Sequence, residues 1–246
     1  MILGAKIIFV PSMTSTNDYA SQLLKNGILP EGTIIYTNYQ TAGRGYFGNK
    51  WESEDGKNLL ASIILYPSFI KPEDQFYISM SVSLGICEFL GSYVKDSVIK
   101  WPNDIYVKND KIAGILIDSA LSGEKIEYTV VGIGLNVNQK KFSISVPNPT
   151  SLNLLSGKDF NITDCLNKLL TVLDKRYKQL ISGDTESMKR EYISKLFRYN
   201  EWSKFMDING SFNGRIDTVA NDGRIVIEKN DSKFYEYAFK EVEFII

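Results

Sequence analysis

The 246-residue chain reads as an α+β protein, a mixed β-sheet flanked by helices and followed by a small all-β module. Three observations predict this. Short β-branched runs at 6–10, 33–36 and 58–66 have strand character and alternate with longer amphipathic stretches. Within 72–94 and 164–181 apolar residues recur every three or four positions, the period of a helix. From about Trp202 the helical period stops, and short strands follow with turns predicted at Asn209-Gly210, Asn213-Gly214 and Asn221-Asp222-Gly223. The predicted domains are therefore 1–199 and 200–246. At 43% hydrophobic, the chain is long enough to bury a full core and carry such an appendix.

Taken in order, Lys6-Ile7-Ile8-Phe9-Val10 predicts the first strand. Thr14-Ser15-Thr16-Asn17 then offers several N-cap residues ahead of a helix carrying Tyr19, Ala20, Leu23 and Leu24. Pro30-Glu31-Gly32 turns the chain into the strand at 33–36. The run 58–66 is almost continuously apolar and so predicts a central strand. Phe76, Met80, Leu84, Cys87 and Leu90 mark the buried face of the long helix. The strand ending at Trp101 runs into Pro102, which ends its ladder. A hairpin is predicted from 105–107 to 112–117 over Lys108-Asn109-Asp110-Lys111, and Ser122-Gly123-Glu124 turns into the strand at 126–136. Helices follow at 164–181 and 185–196.

Composition narrows the function. A net charge of −1 gives no support for binding nucleic acid or an anionic membrane. No apolar run approaches the roughly 18 residues that span a bilayer, and the first residues do not form a signal peptide. Cys87 and Cys165 fall in apolar helical patterns and read as buried thiols, which fits a reducing cytoplasm. There is no histidine. Ser-His-Asp chemistry, histidine base catalysis and most zinc sites are thereby removed.

The chemistry concentrates in Gln40-Thr41-Ala42-Gly43-Arg44-Gly45-Tyr46-Phe47-Gly48-Asn49-Lys50-Trp51. Its glycines let backbone N–H groups approach an anion, and Arg44 and Lys50 add positive charge. The stretch 43–48 fits G-x-G-x-x-G, but no helical stripe follows, so a dinucleotide fold is excluded. A P-loop is excluded because Asn49-Lys50-Trp51 stands where Lys-Ser/Thr is required. An anion-holding loop and a plain surface loop remain open at this point. Lys100-Trp101-Pro102-Asn103-Asp104 gathers a cation, an amide and a carboxylate, though an Asn-Asp turn after a strand explains it equally well. Lys111 is either a reaching cation or a hairpin-tip lysine. Gly132-Ile133-Gly134-Leu135-Asn136 predicts a strand that something approaches closely, or a bulge. Ser15-Thr16-Asn17 is most simply a helix cap.

Together, Gln40 to Trp51, Lys100 to Asp104, Lys111-Ile112-Ala113-Gly114-Ile115-Leu116 and Gly132-Ile133-Gly134-Leu135-Asn136-Val137-Asn138 resemble the biotin protein ligases in order and spacing, over nearly the whole chain. The resemblance implies a class II synthetase-like catalytic domain with a C-terminal SH3-like β-barrel, in the short form that lacks an N-terminal winged helix. It implies that biotin attacks the α-phosphate of Mg2+-ATP to give biotinyl-5′-AMP, which then acylates one lysine of a biotin carboxyl carrier protein domain. The setting would be cytoplasmic, without DNA or membrane, and with monomer and homodimer both open. Carried over by position, Arg44, Lys100, Lys111 and Asp104 would be catalytic, with Asp104 helping the acceptor lysine lose its proton. Biotin would meet Ser15, Thr16, Asn17, Gln40, Gly43, Arg44, Gly45, Tyr46, Lys111, Gly114, Gly132 and Gly134. ATP would meet Lys50, Trp51, Lys100, Asn103 and Asn136, and no side chain is assigned to the metal. The family's loop usually reads Gly-Arg-Gly-Arg with a further basic residue three positions on; here those two places hold Tyr46 and Asn49. Two rival readings are a lipoate protein ligase, whose loop ends near a His-Asp pair, and a non-catalytic biotin-binding regulator.

Overall fold

The computed structural model describes residues 1–144 and 146–245, with Phe47 described by its backbone alone. In chain order the first half comprises β1 (Ile7–Phe9), β2 (Ser12–Met13), α1 (Thr16–Lys25), β3 (Ile34–Thr37), β4 (Tyr39–Gln40), β5 (Asn58–Leu65) and α2 (Phe76–Leu90). It continues through β6 (Ser97–Lys100), β7 (Asp104–Val107), β8 (Asp110–Ser122) and β9 (Lys125–Asn136). Then follow α3 (Leu152–Ser156), α4 (Ile162–Ile181) and α5 (Thr185–Ser194). The C-terminal strands are β10 (Ser203–Asp207), β11 (Gly210–Val219), β12 (Ile225–Lys229), β13 (Phe234–Tyr237) and β14 (Val242–Phe244).

The main sheet has seven strands in the order β1-β3-β5-β9-β8-β7-β6. Only β1 and β3 pair in parallel, so the sheet is mixed, as the sequence predicts. All eight residues of β5 are buried, which suits a strand covered on both faces. Side chains alternate across the sheet. Leu59, Ala61, Ile63, Ile115, Val131, Ile133 and Leu135 join the core shared with α2 and α4. In register on the opposite face lie Ser62, Gly114, Leu116, Gly132 and Gly134, beneath α1 and the glycine-rich loop.

Every residue of α2 except Glu88 is buried. Glu88 meets Arg176 of α4, and Arg176 also pairs with Glu191 of α5, so one guanidinium ties three helices together. Cys87 and Cys165 are buried, unpaired thiols.

The C-terminal strands form a five-stranded antiparallel sheet, β13-β12-β11-β10-β14. Phe205, Ile216, Val219, Ile225 and Ile227 join the same contiguous core as the large sheet.

Two expectations are corrected here. Asn213-Gly214 is not a turn but lies inside β11, opposite Lys204, Ser203 and Lys229. Glycine is needed there for room: a Cβ would sit 2.5 Å from Ile227 Cγ2 and 3.1 Å from Phe212 Cε2. Gly214→Ala should therefore overpack the sheet by about 1–3 kcal/mol. A calorimetric melt should fall by about 3–10 °C; an unchanged melt would mean Ile227 turns aside freely. Lys111 is likewise not at the hairpin tip, because the turn is 108–109, with Lys108 at φ 57°.

Candidate active site

The site starts at the N-terminus of α1. Ser15 caps the helix by accepting from the Asp18 backbone N–H at 3.4 Å, as its sequence suggests. The backbone N–H and hydroxyl of Thr16 both donate to Gln40 Oε1, at 2.8 and 3.2 Å. The first turn of α1 and strand β4 are thus pinned to each other. Asn17 lies across β9: a Cβ at Gly132 would overlap Asn17 Oδ1 and stand 3.0 Å from its Cγ. Its amide donates to Asp118 Oδ2 at 2.9 Å and Leu116 O at 3.2 Å, while Oδ1 accepts from the Ser62 hydroxyl at 2.6 Å. Asn17 is 2% exposed, so this network fixes its orientation.

The glycine-rich loop closes on itself. Gly45 N–H donates to Asn49 O at 2.7 Å, and Trp51 N–H to Gly43 O at 2.9 Å. Gly43 is obligatory for that closure, since a Cβ there would overlap Trp51 O. Tyr46–Gly48 forms a short 3-10 turn at the tip. Arg44 pairs with Asp18 at 2.5 Å and approaches Asp118 to 3.5 Å, with about half of each Arg44 and Asp18 side chain exposed. Pairs so exposed contribute little to stability. Burial, and then the charge of Asp118, raise the Tyr46 phenol above its ordinary pKa.

Gly114 and Gly134 face each other across β8 and β9, and Leu116 faces Gly132, with no register break at either place. The bulge alternative is thereby excluded. Trp51 lies over this glycine floor: Cβ atoms would stand 3.0 Å from its Cζ3 at Gly114 and 2.7 Å from its Cζ2 at Gly134.

At the rim, Lys111 Nζ pairs with Asp104 Oδ1 at 2.7 Å and stands 5.7 Å from the Trp51 ring centre. The Lys111 backbone is clamped, donating to Asn148 O at 2.6 Å and accepting from Thr150 N–H at 2.9 Å. Asn103 is tied to β8 through Ile115 O at 2.8 Å, next to the cis peptide between Trp101 and Pro102.

Ser15, Thr16, Asn17, Gln40, Arg44, Gly45, Tyr46, Lys50, Trp51, Asn103, Asp104, Lys111, Gly114, Gly132 and Gly134 all line one cavity of about 110 Å3. That space is below the roughly 300–1,000 Å3 of typical ligand sites, because Trp51 and Asn17 lie on the floor.

Three predicted residues are outside the lining. Gly43 serves loop closure. Lys100 lies near the Tyr106 and Phe244 rings, 5.3 and 5.4 Å from their centres, and burial holds its pKa below the usual lysine value. Asn136 is 4% exposed and donates to Thr150 O at 2.9 Å. Its Oδ1 is buried without a protein partner among the described residues.

Sequence reading missed Asp18, Ser62, Asp118 and the clamp at 148–150. Asp118 was within reach, since it shares the strand face of Gly114 and Leu116 by period-2 alternation.

Comparisons with known proteins place the chain among relatives of one family. The chain is 28% identical over 236 residues to the bifunctional ligase/repressor BirA of Bacillus subtilis, covering 94% of this chain and 71% of that protein. It is 27% identical over 142 residues to the biotin–[acetyl-CoA-carboxylase] ligase of Mycobacterium tuberculosis, covering 56% of this chain and 51% of that one. The structure superposes with a TM-score of 0.81 on a biotin protein ligase from Aquifex aeolicus solved with biotin and ATP, at 26% identity, covering 97% of this chain and 98% of that one. Residues 9–136 match the family model described as Biotin/lipoate A/B protein ligase family. That span holds every lining residue from the α1 cap to the glycine floor, and the chain belongs to the biotin/lipoate A/B protein ligase family.

Proposed function

We infer that this chain is a biotin protein ligase, an ATP-dependent enzyme that activates biotin and transfers it to a lysine of a carrier protein. The observation that carries the reading is the glycine floor. Gly114, Gly132 and Gly134 put no side chains of their own on the sheet surface beside two cations, Arg44 and Lys111, so that once the Trp51 ring moves off Gly114 and Gly134 flat backbone is exposed there. Such a site suits a flat ligand ending in a carboxylate. The names of the relatives and the biotin and ATP bound in the Aquifex aeolicus structure support it.

In the first step a biotin carboxylate oxygen attacks the α-phosphorus of ATP, the bond to pyrophosphate breaks, and biotinyl-5′-AMP forms. Like charge opposes that approach, so cations and backbone donors must offset it. We assign this task to Arg44 and Lys111, with Lys50 and Lys100 toward the remaining phosphates. Ser15, Thr16, Asn17 and Gln40 would hold the ureido ring. Trp51, Asn103 and Asn136 would hold the nucleotide, and the unpartnered Asn136 Oδ1 supports an acceptor role. In the second step a lysine amine attacks the acyl carbon, AMP leaves, and the amine gives up a proton. Asp104 is our candidate to receive it once Lys111 is engaged by phosphate. Adenylyl transfer is chiefly positioning and charge stabilisation, which needs no histidine.

Magnesium would arrive with ATP and neutralise the departing pyrophosphate. An ion held mainly by phosphate and water needs only one or two carboxylates, and Asp104 is the carboxylate in the lining. Among the described residues there is no group of three or more His, Cys, Asp or Glu suited to a metal.

The proposed acceptor is a biotin carboxyl carrier protein domain, in the cytoplasm. No helix among the described residues is long and apolar enough to cross a membrane. We also propose a boundary near 199/200, with the C-terminal part serving transfer or nucleotide closure.

The test is mass spectrometry of a carrier domain incubated with the enzyme, Mg-ATP and either biotin or lipoate. One biotinyl addition with pyrophosphate release is expected. Lipoyl addition would assign the chain to the other branch of its family, and biotin binding without pyrophosphate would make it a regulator.

A further inference from the structure

The tip of the glycine-rich loop is tied to the C-terminal sheet. The Tyr46 ring meets Phe239 edge-on, with centroids 5.5 Å apart and planes at 76°. Phe239 sits in the turn between β13 and β14, which is locked twice. The Glu241 N–H donates to Ala238 O at 3.1 Å, and the Ala238 N–H donates to Glu241 Oε2 at 2.7 Å.

On its other sides Phe239 rests on rigid ground. Its ring is 5.2 Å from Trp101 and 6.0 Å from Phe76. Trp101 is 3% exposed and donates its indole N–H to Gly223 O at 2.9 Å. Gly223 has φ 93°, and a Cβ there would stand 2.5 Å from Phe76 Cδ2. Two turns of the C-terminal sheet therefore grip the start of α2 and the end of β6. Among the described side chains, the Phe239 ring passes that fixed position on to the loop through Tyr46.

Tyr46 also lines the cavity. Tyr46 thus faces the site while touching the C-terminal sheet. The Arg44–Asp18 pair, at the base of the loop, is half-exposed and holds weakly.

We propose that Phe239 is a positioning residue: through Tyr46 it holds the glycine loop across the mouth of the cavity and sets how long a ligand on the glycine floor stays. The proposal rests on the ligase reading above, because biotin is the ligand taken for that floor. Phe239 is itself outside the cavity lining, and of the rings Tyr46, Phe76 and Trp101 packed against it, Tyr46 alone lines the cavity.

The experiment uses the full chain with Phe239→Leu, Tyr46→Leu, the double variant and Phe239→Tyr. The first readout is the dissociation rate of biotin and of biotinyl-5′-AMP, measured by chase. An aromatic pair of this geometry predicts a rate increase of roughly two- to tenfold in each Leu variant. The double variant should not exceed Tyr46→Leu by much, because Phe239 acts on the site through Tyr46, whereas Tyr46 also lines the cavity itself. Phe239→Tyr should restore the original rate. The second readout is amide exchange at Gly45, Asn49 and Trp51, which should quicken in Phe239→Leu while α4 is unchanged.

Unchanged off-rates, or increases that simply multiply in the double variant, overturn the proposal even if melting temperature falls. Should the unaltered chain bind no biotin, the ligase reading fails by itself. The exchange readout still decides whether Phe239 orders the loop, and unaltered exchange there overturns that claim.

Discussion

Replacing Lys111 by alanine is expected to slow adenylate formation by well over tenfold while weakening biotin binding less. The Lys111 ammonium is the cation best placed to gain from charge that builds on an α-phosphate. It sits at the cavity rim, about one quarter exposed, paired with Asp104 and standing over the edge of the glycine floor. Its backbone is clamped between Asn148 and Thr150, so the side chain works from a fixed base. A charge-assisted contact is worth roughly 1.5–3 kcal/mol, or about ten- to a hundredfold in rate if it forms fully only in the transition state. Alanine also leaves Asp104 without its counter-charge beside the incoming phosphates. Single-turnover adenylate formation and biotin titration separate the two effects. Equal losses in rate and affinity would mean that Lys111 contributes ground-state packing alone.

Gly132→Ala is expected to cost both biotin affinity and stability. The new methyl would overlap Asn17 Oδ1. Asn17 cannot yield cheaply, because it is 2% exposed and bonded to Ser62, Leu116 and Asp118. Each buried polar group left unsatisfied costs about 1–3 kcal/mol. A melting temperature about 5–10 °C lower follows for a chain of this size, with biotin binding at least tenfold weaker. The interpretation rests on the clash, so it has an internal control. In an Asn17→Ala background the Gly132→Ala change should add little further loss. A full additional loss in that background would show that Gly132 is needed for something other than Asn17.

Most of the fold was legible because its signals are local. The central position of β5 follows from its apolar run, and Phe76, Met80, Leu84 and Cys87 mark α2 as a buried helix, although α4 packs on its other face, at Gly85 and Glu88. What sequence could not supply was partner identity. Asn213-Gly214 carries the strongest short hairpin signal. The dipeptide nevertheless lies in mid-strand, because its cross-strand neighbour Ile227 and Phe212 leave space only for glycine. The pair β2 and β4 escaped notice because each is two residues long, with no period to detect. Within the site, the glycines at 132 and 134 were readable as places of close approach, and Gly114 through the family resemblance. What approaches them was not, since Asn17 and Trp51 arrive from far along the chain. Arg44 was legible as a cation, whereas its carboxylate partners Asp18 and Asp118 are 26 and 74 residues away and become neighbours only through the packing of α1 on the sheet.

A tryptophan lying on the surface that a ligand must use turns entry into two events. The Trp51 ring has to leave the glycines before a flat ligand can rest there, and its buried indole N–H has no protein partner to hold it back among the described residues. The observed association rate should then stop rising at high ligand concentration and level off at the rate of ring departure. The apparent dissociation constant is the intrinsic one divided by the fraction of molecules with the floor uncovered: if about one in ten is uncovered, affinity is about tenfold weaker than the contacts alone would give. Substituting a smaller side chain for Trp51 would therefore lift two opposing weights at once, removing a wall of the site and also the occupant that delays arrival.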